Sequence, residues 1–404
     1  MSDIAKYHNK FADKIDLGTG SPFSLFECLL NLYSISAGKT EKLLKDVLEL
    51  PLKSQLVLDN NLIQAKCFKN TNIICINKSF KIKPDYSSNR MKIIYASPSD
   101  AAVINSCICK ATNGIFKDII QPESLERIQL LLINCIYFKS KWQINNLFHA
   151  KNTKMLPFSF GLNNMQNIPA MIGGVDNAFT YGYYEDTFNQ VVEMPYEDSD
   201  FSMVIILPKN TYAVPKFKNY TLFRQCLFNY VQIPKFKVMR VIILEDVLKC
   251  YGLEDLYSHI ELDICEPLII DDVVQNVFIE VNEEGTEMAC VTLLNCRFSI
   301  QTQNFHKRFV ANHPFVYYIR HKPTNCVLYQ GTFDEEHISK DPMDHPIKIN
   351  EKNILDINYN DSDIESKNGL EIKNYGNNND DSDSDSDSDC GCDGSCNPLS
   401  DHCW

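Results

Sequence analysis

The chain has 404 residues, 44% of them hydrophobic, which is enough for one large folded domain with a tail. Its 16 cysteines lack the spacing of a compact disulfide framework, and no stretch of about 20 apolar residues could form a membrane-spanning helix. The charged N-terminus lacks the apolar run of a cleavable signal peptide. This favours a cytoplasmic protein with reduced thiols, although export through an uncleaved signal stays open.

Negative charge is concentrated near the C-terminus. Residues 339–404 contain 16 Asp and Glu against 5 Lys, a net charge of −11, whereas the whole chain carries −13. The preceding part is therefore close to neutral and gives no reason to propose a nucleic-acid partner. The tail is rich in Asn, Asp and Ser, so we predict that it is disordered. We place the boundary between the domain, 1–338, and the tail, 339–404, near Ile338.

The first elements in chain order are predicted to be helices. Four apolar residues have the spacing of one face of an amphipathic helix: Ile4, Tyr7, Phe11 and Ile15. Ser24, with Glu27 three residues later, has the pattern of a capping box that begins a second helix. Gly38 should end that helix, and Thr40 should cap a third one that runs to Leu50.

Strands are predicted next, at Asn61–Phe68 and Ile73–Ile76. Ile128–Phe138 is a nearly continuous apolar run, which suits a strand covered on both faces. Gln190–Tyr196 and Asp200–Lys209 flank a Glu-Asp-Ser turn and indicate a hairpin. Two further elements follow, a strand and a helix: Ile233–Lys237 and Leu244–Tyr257.

The segment Val281–Ser299 could form either an exposed loop or a central strand. Strand-forming residues, Val277–Val281, lead into two carboxylates and then Gly285, which supplies a backbone joint. Small or β-branched residues follow, and no proline occurs between Pro267 and Pro314, so every N–H of this run could join a sheet.

Two motifs resemble those of the serpins, a family of serine-protease inhibitors. Glu283–Glu287 (EEGTE), followed by small residues, is similar to the hinge of the serpin reactive-centre loop. Phe309–Arg320 (FVANHPFVYYIR) and Asn325–Phe333 (NCVLYQGTF) are similar to the C-terminal signature of that family. Further family-like stretches extend the resemblance over about Ser21 to Phe333: SPFSL from Ser21, Ile104–Ile120, Lys139–Trp142, Gln190–Lys209 and Ile233–Lys237.

The resemblance implies an α+β serpin fold with a mixed central β-sheet, further sheets, about eight or nine helices and an exposed reactive-centre loop. It also implies these hinge residues: Glu283, Glu284, Gly285, Thr286, Glu287, Met288, Ala289 and Cys290. Ser21, Ser24 and Asn134 match the shutter beneath the sheet, and Trp142 matches the breach, where the loop enters it. Gln275 stands where most members have the histidine that pairs with the shutter asparagine; its amide can keep this hydrogen bond to Asn134 but has no pH response.

The function implied by the resemblance is suicide-substrate inhibition of a serine protease. The protease cleaves the loop, the acyl-enzyme is trapped, and the freed half of the loop inserts into the sheet. The usual spacing from the hinge glycine places the scissile bond between Ser299 and Ile300. Phe298, which suits a chymotrypsin-like pocket, and Arg297, which suits a trypsin-like one, remain open. The resemblance implies a monomer, with no membrane partner.

Alternatives from other classes remain. Met288 and Cys290 are larger than the alanines usual in inhibitory serpins and could slow insertion, which converts an inhibitor into a substrate. The second functional class is a non-inhibitory serpin that acts as a protein-binding or chaperone-like scaffold. Inhibition of a cysteine protease is a third possibility. No hydrolase elbow, Walker loop or His-Glu-x-x-His motif is present, so we predict no enzyme, catalytic residue or cofactor. We also predict no metal site: Cys107 and Cys109 should be helix residues, and the Cys-rich tail end, Cys390–Cys403, should carry reduced thiols, with binding of a soft metal there as the alternative.

Overall fold

The computed structural model describes residues 3–15, 17–56, 63, 65–80, 91–126, 128–144, 147–174, 178–213, 216–286 and 306–335. They belong to one compact unit, Met1–Glu351. The described residues form five α-helices: α1 (Asp3–Lys14), α2 (Pro22–Ile35), α3 (Gly38–Val47), α4 (Ala101–Ala111) and α5 (Glu245–Cys250). None of these helices is long and apolar enough to cross a membrane.

Sixteen strands lie in the described part of the chain. They are β1 (Phe68–Asn77), β2 (Lys92–Ala96), β3 (Leu130–Phe138), β4 (Ser140–Lys141), β5 (Lys154–Gly161), β6 (Asn164–Gly173), β7 (Phe179–Glu185), β8 (Asn189–Pro195), β9 (Phe201–Pro208), β10 (Arg224–Pro234), β11 (Phe236–Ile243), β12 (Ile270–Val281), β13 (Gly285–Thr286), β14 (Lys307–Val310), β15 (Phe315–His321) and β16 (Cys326–Phe333).

These strands form two large sheets. The first sheet has five strands in the order β11-β12-β3-β1-β2, and it is mixed because β12 runs parallel to β3 while β3 runs antiparallel to β1. The second sheet has the order β16-β15-β9-β8-β7-β10-β6-β5, with β14 paired to β10. The two-residue strand β13 pairs with β4. An α+β architecture with a mixed sheet is thereby confirmed, while the count of eight or nine helices stays a prediction for the whole chain.

Apolar layers cover both faces of the five-stranded sheet, as the sequence predicted for Ile128–Phe138. Along β3, Leu130 and Leu132 face helices α1, α2 and α3, whereas Leu131 and Ile133 face α4. This alternation follows from the two-residue period of a strand. Helix α2 is the centre of the first layer, because every residue in it except Ser34 is buried.

The helix ends differ from the sequence prediction. The N-cap of α2 is Ser21, whose hydroxyl accepts a hydrogen bond from the Ser24 N–H, so the proposed capping box at Ser24 was wrong. Pro22 occupies the first turn, where its missing N–H loses no helical bond. Gly38 does not end α2 but is the first residue of α3. Thr40 lies within α3 and therefore does not cap it.

Three other predicted elements have different bounds. The strand predicted at Ile73–Ile76 is part of the longer β1, whereas the described residues of 61–67 form no strand of their own. Ile233–Lys237 spans the junction of β10 and β11. The helix predicted at Leu244–Tyr257 is α5 followed by a 3₁₀ turn, Glu254–Tyr257, because the backbone turns at Gly252, where φ is +76°. The hairpin predicted at 190–209 is confirmed as β8 and β9.

We expect Leu132→Ala to lower the free energy of unfolding by about 2–5 kcal/mol. The Leu132 side chain of β3 is buried against the helical layer, and truncating it leaves a cavity. Leu222→Ala is the matched control, since Leu222 is 80% exposed, and should change the free energy by less than about 0.5 kcal/mol. Urea unfolding followed by circular dichroism measures both. Equal effects of the two substitutions would contradict the assigned position of β3.

Candidate functional site

A cleft separates β3 from β12 in the five-stranded sheet. The recorded pairing of these strands runs from Leu130–Ile270 to Asn134–Gln275 and stops there. Beyond that point β3 pairs only with β1, and β12 only with β11, among the described residues. Two strand edges with hydrogen-bonding backbone therefore face each other across the cleft, which is a template for a further strand.

The cleft has apolar walls and a partly polar floor. Ile136 and Phe138 of β3 line one side, and Val277 and Ile279 of β12 line the other. The lining also includes Ser21, the N-cap of α2, Ser24 of α2, and Leu328 and Tyr329 of β16. Thr286, the last described residue before the loop, is also part of the lining. The chain thus brings the predicted shutter and the start of the predicted hinge to one cavity.

The shutter residues close the lower end of the cleft through two separate sets of hydrogen bonds. The Gln275 side chain bonds the backbone of Ser21: its Oε1 accepts from the Ser21 N–H at 2.6 Å, and its Nε2 donates to the Ser21 carbonyl at 3.0 Å. The Ser24 hydroxyl donates to Asn134 Oδ1. Gln275 and Asn134 are register partners, yet the described contacts include no hydrogen bond between their side chains. The expectation that Gln275 would keep the usual bond to Asn134 is therefore corrected.

Two asparagines that the sequence did not single out complete the shutter. Asn134 Nδ2 donates to Asn70 Oδ1 at 2.8 Å and to Asn72 Oδ1 at 2.5 Å. Asn72 lies opposite Asn134 in the β1–β3 register, so the contact depends on strand pairing that one sequence does not reveal. Because no member of this cluster titrates near neutral pH, the closure is held by amides and hydroxyls alone.

The breach lies at the upper end of the cleft and is built around Trp142. The indole of Trp142 stacks on the Tyr196 ring, with centroids 5.0 Å apart and an interplanar angle of 9°. Its Nε1 donates to the Asn282 carbonyl at 3.0 Å, and its backbone N–H donates to the Glu284 carbonyl at 3.1 Å. The phenol oxygen of Tyr196 lies 2.9 Å from the Thr286 hydroxyl oxygen. Trp142 and Tyr196 therefore hold the residues on both sides of Glu283.

Gly285 and Thr286 already pair as a strand with Lys141 and Ser140. A side chain at Gly285 is excluded, since a Cβ there would lie 2.4 Å from the Ser140 carbonyl oxygen and 2.5 Å from the Lys141 Cα. Its φ of +141° also lies in the region that favours glycine. Thr286 is 4% exposed. Small residues are thus required where the chain enters the cleft.

A charged contact anchors the first residue of the predicted hinge. Glu283 accepts hydrogen bonds from the Thr153 hydroxyl at 2.7 Å and from the Lys235 ammonium at 2.9 Å. Partial burial alone would raise the pKa of Glu283, but these two hydrogen bonds outweigh it and hold the pKa below its usual range. Neither Thr153 nor Lys235 was identified from the sequence, because both lie on distant segments.

A second anchor lies after the loop, at the start of β14. Lys307 Nζ is 3.2 Å from one oxygen of Glu185, and Lys209 Nζ is 2.9 Å from the other. The Tyr183 hydroxyl also donates to Glu185. Hydrogen bonds from Lys209 and Tyr183, with a further contribution from Lys307, lower the pKa of Glu185 to about 2. Ion pairs consequently hold the chain on both sides of the predicted reactive-centre loop.

The remaining predicted site residues lie outside the described part of the chain. They are the distal hinge residues and the scissile candidates: Glu287, Met288, Ala289, Cys290, Arg297, Phe298, Ser299 and Ile300. The acidic tail and its cysteines lie outside it as well.

Comparison with known proteins identifies the family of this chain. Residues 19–335 match the family described as Serpin (serine protease inhibitor). The chain belongs to the serpin family. Leukocyte elastase inhibitor of Bos taurus is 30% identical over 285 residues, which cover 63% of this chain and 74% of that protein. Ovalbumin-related protein Y of Gallus gallus is 28% identical over 286 residues, covering 64% of this chain and 72% of that protein.

Solved structures confirm the serpin fold. Serpin48 of the insect Tenebrio molitor aligns with a TM-score of 0.65 at 21% identity and covers 82% of this serpin and 97% of its own chain. Native protease nexin-1, solved with heparin, aligns with a TM-score of 0.64 at 20% identity, covering 82% and 96% of the two chains. At these identities the structures support the fold alone.

We expect the stabilising effect of Glu283 to disappear in acid. Its pKa is lowered by folding, so its contribution is fully present above the unfolded value of about 4.3 and is lost as the pH falls through the lower folded value. The difference in unfolding free energy between the unmodified serpin and Glu283→Gln should therefore shrink between pH 7 and pH 3. Urea titrations at several pH values measure it. The neighbouring, exposed Glu284 provides the control: Glu284→Gln should show a smaller difference at neutral pH.

Proposed function

We propose that this serpin inhibits serine proteases by a suicide-substrate mechanism. The observation that carries the proposal is the cleft between β3 and β12, with Gly285 and Thr286 already paired at its mouth. The family description and the name of the bovine relative support protease inhibition in general. The geometry of the cleft supports the specific mechanism.

The first step is attack of the protease serine on the loop, which gives an acyl-enzyme and frees the new end of the loop. The freed segment begins at Thr286 and remains attached to the cleft through Gly285. It then fills the position between β3 and β12 as an additional strand, the type of loop insertion known in serpins. The attached protease is carried along with the segment and deacylation stalls.

The driving force is the backbone pairing that the cleft leaves unmade. About a dozen inserted residues would gain roughly 1 kcal/mol each from ladder hydrogen bonds, and burial of their side chains would add to this. The total is comparable to the stability of an entire domain, about 5–15 kcal/mol. Full insertion also requires β12 to separate from β3 at Gln275 and Asn134, so the shutter opposes it.

Alternation determines which side chains would enter the cleft. Thr286 faces inward and is buried, so Met288 and Cys290 would follow on the same side. Each is larger than alanine and would slow insertion. The rate of insertion would then decide whether this serpin acts as an inhibitor or as a substrate. A serpin cleaved in the loop without trapping the protease would be non-inhibitory.

We expect Thr286→Arg to convert the serpin from an inhibitor into a substrate. An arginine charge would have to enter the apolar cleft beside Trp142 and Tyr196, so insertion would stall and the acyl-enzyme would hydrolyse. Denaturing gels of mixtures with trypsin, chymotrypsin or elastase should show a stable complex for the unmodified serpin and cleavage alone for the variant. Thr286→Val, similar in shape, should keep the complex. Equal complex formation by the Arg variant would contradict insertion.

The scissile bond can be assigned from the fragment released by each protease. If the scissile bond follows Arg297, Arg297→Ala should reduce the rate of complex formation with trypsin by about 100-fold or more. The rate of complex formation with chymotrypsin should not change. With the bond after Phe298, Phe298→Ala should have the reverse selectivity. Mass spectrometry of the released peptide locates the bond, and a peptide beginning at Ile300 would support Ser299 instead of either.

A further inference from the structure

A lysine and a cysteine lie in direct contact on the face of the five-stranded sheet that α4 covers. Lys92 is the first residue of the edge strand β2, and Cys107 lies in the second half of α4. The Lys92 Nζ is 2.8 Å from the Cys107 Sγ and donates a hydrogen bond to it. This pair lies apart from the cleft lining and from both loop anchors, and the proposed function does not use it.

The surroundings make Cys107 different from the other thiols of this layer. Cys75 of β1 and Cys135 of β3 are buried beneath α4. Burial, with a smaller contribution from Cys107 nearby, raises the pKa of both thiols to about 12, so they stay protonated and unreactive. Cys107 is only partly buried and has a cationic donor beside its sulfur, which is the environment in which oxidants select a cysteine.

We propose that Lys92 and Cys107 form a redox-sensitive covalent cross-link between β2 and α4. Hydrogen peroxide, or another hydroperoxide, oxidises the Cys107 thiol to a sulfenic acid and is itself reduced to water or the corresponding alcohol. The Lys92 ammonium loses one proton to solvent, and its nitrogen attacks the sulfenic sulfur. An S–N bond forms, the S–O bond breaks, and the hydroxyl leaves as water with a proton from the nitrogen.

The link would fix α4 to the outer edge of the sheet. Phe278 of β12 packs against the same apolar layer as α4, although β12 lies on the other side of the cleft from β1 and β2. The α4 layer therefore contacts both halves of the sheet, and the link ties it to one of them. A dithiol would reverse the link, since two thiols return the two hydrogens to sulfur and nitrogen and are oxidised to a disulfide.

The experiment treats the reduced full chain with hydrogen peroxide, caps the remaining thiols and maps the peptides by mass spectrometry. We expect a linked peptide pair containing Lys92 and Cys107, lighter by two hydrogen atoms than the sum of its parts. Dithiothreitol should release it. Lys92→Arg, which keeps the positive charge, and Cys107→Ser should both abolish the linked pair.

Cys109→Ser is the matched control, because Cys109 lies on the same helix with similar exposure and should leave the yield unchanged. Circular dichroism of each reduced variant confirms that it is folded. Recovery of Cys107 as a sulfinic or sulfonic acid with Lys92 free would overturn the proposal. A disulfide from Cys107 to Cys75 or Cys135 would overturn it as well.

Discussion

The structure depends on a strand position that the five-stranded sheet leaves unfilled. Buried backbone N–H and C=O groups nearly always find partners, so two facing strand edges without a shared neighbour are a source of free energy. Here β3 and β12 present such edges above Asn134 and Gln275. Gly285 and Thr286 pair with β4 at the mouth of the cleft, and Thr286 is part of its lining.

Hydrogen-bonded clusters lie at both ends of this position. At the lower end, Gln275 bonds the Ser21 backbone while Ser24 and two further asparagines bond Asn134. At the upper end, Trp142 and Tyr196 hold the hinge by stacking and hydrogen bonds. Gln275 contributes an amide, which does not titrate near neutral pH, so its hydrogen bonds do not depend on protonation.

Ion pairs at Glu283 and Glu185 attach the chain on the two sides of the predicted reactive-centre loop to different parts of the molecule. The first joins the hinge to Lys235, between β10 and β11, and the second joins the start of β14 to β7. The chain is therefore held by an ion pair on each side of the predicted reactive-centre loop.

The sequence by itself determined the serpin resemblance, the apolar β3 and the β8–β9 hairpin, since each depends on local residue patterns. It identified Gly285 as a backbone joint, but the need for glycine there comes from Ser140 and Lys141, which are distant in the chain. It placed Ser21, Ser24, Asn134, Gln275 and Trp142 at the site through the family pattern. Only the tertiary structure decided that Gln275 bonds Ser21, that Asn70 and Asn72 join Asn134, and that Thr153 and Lys235 hold Glu283. The helix ends at Ser21 and Gly252 also differed from prediction. These contacts join segments far apart in the chain, which only the packing of the strands and helices brings together, and local residue patterns do not encode that packing.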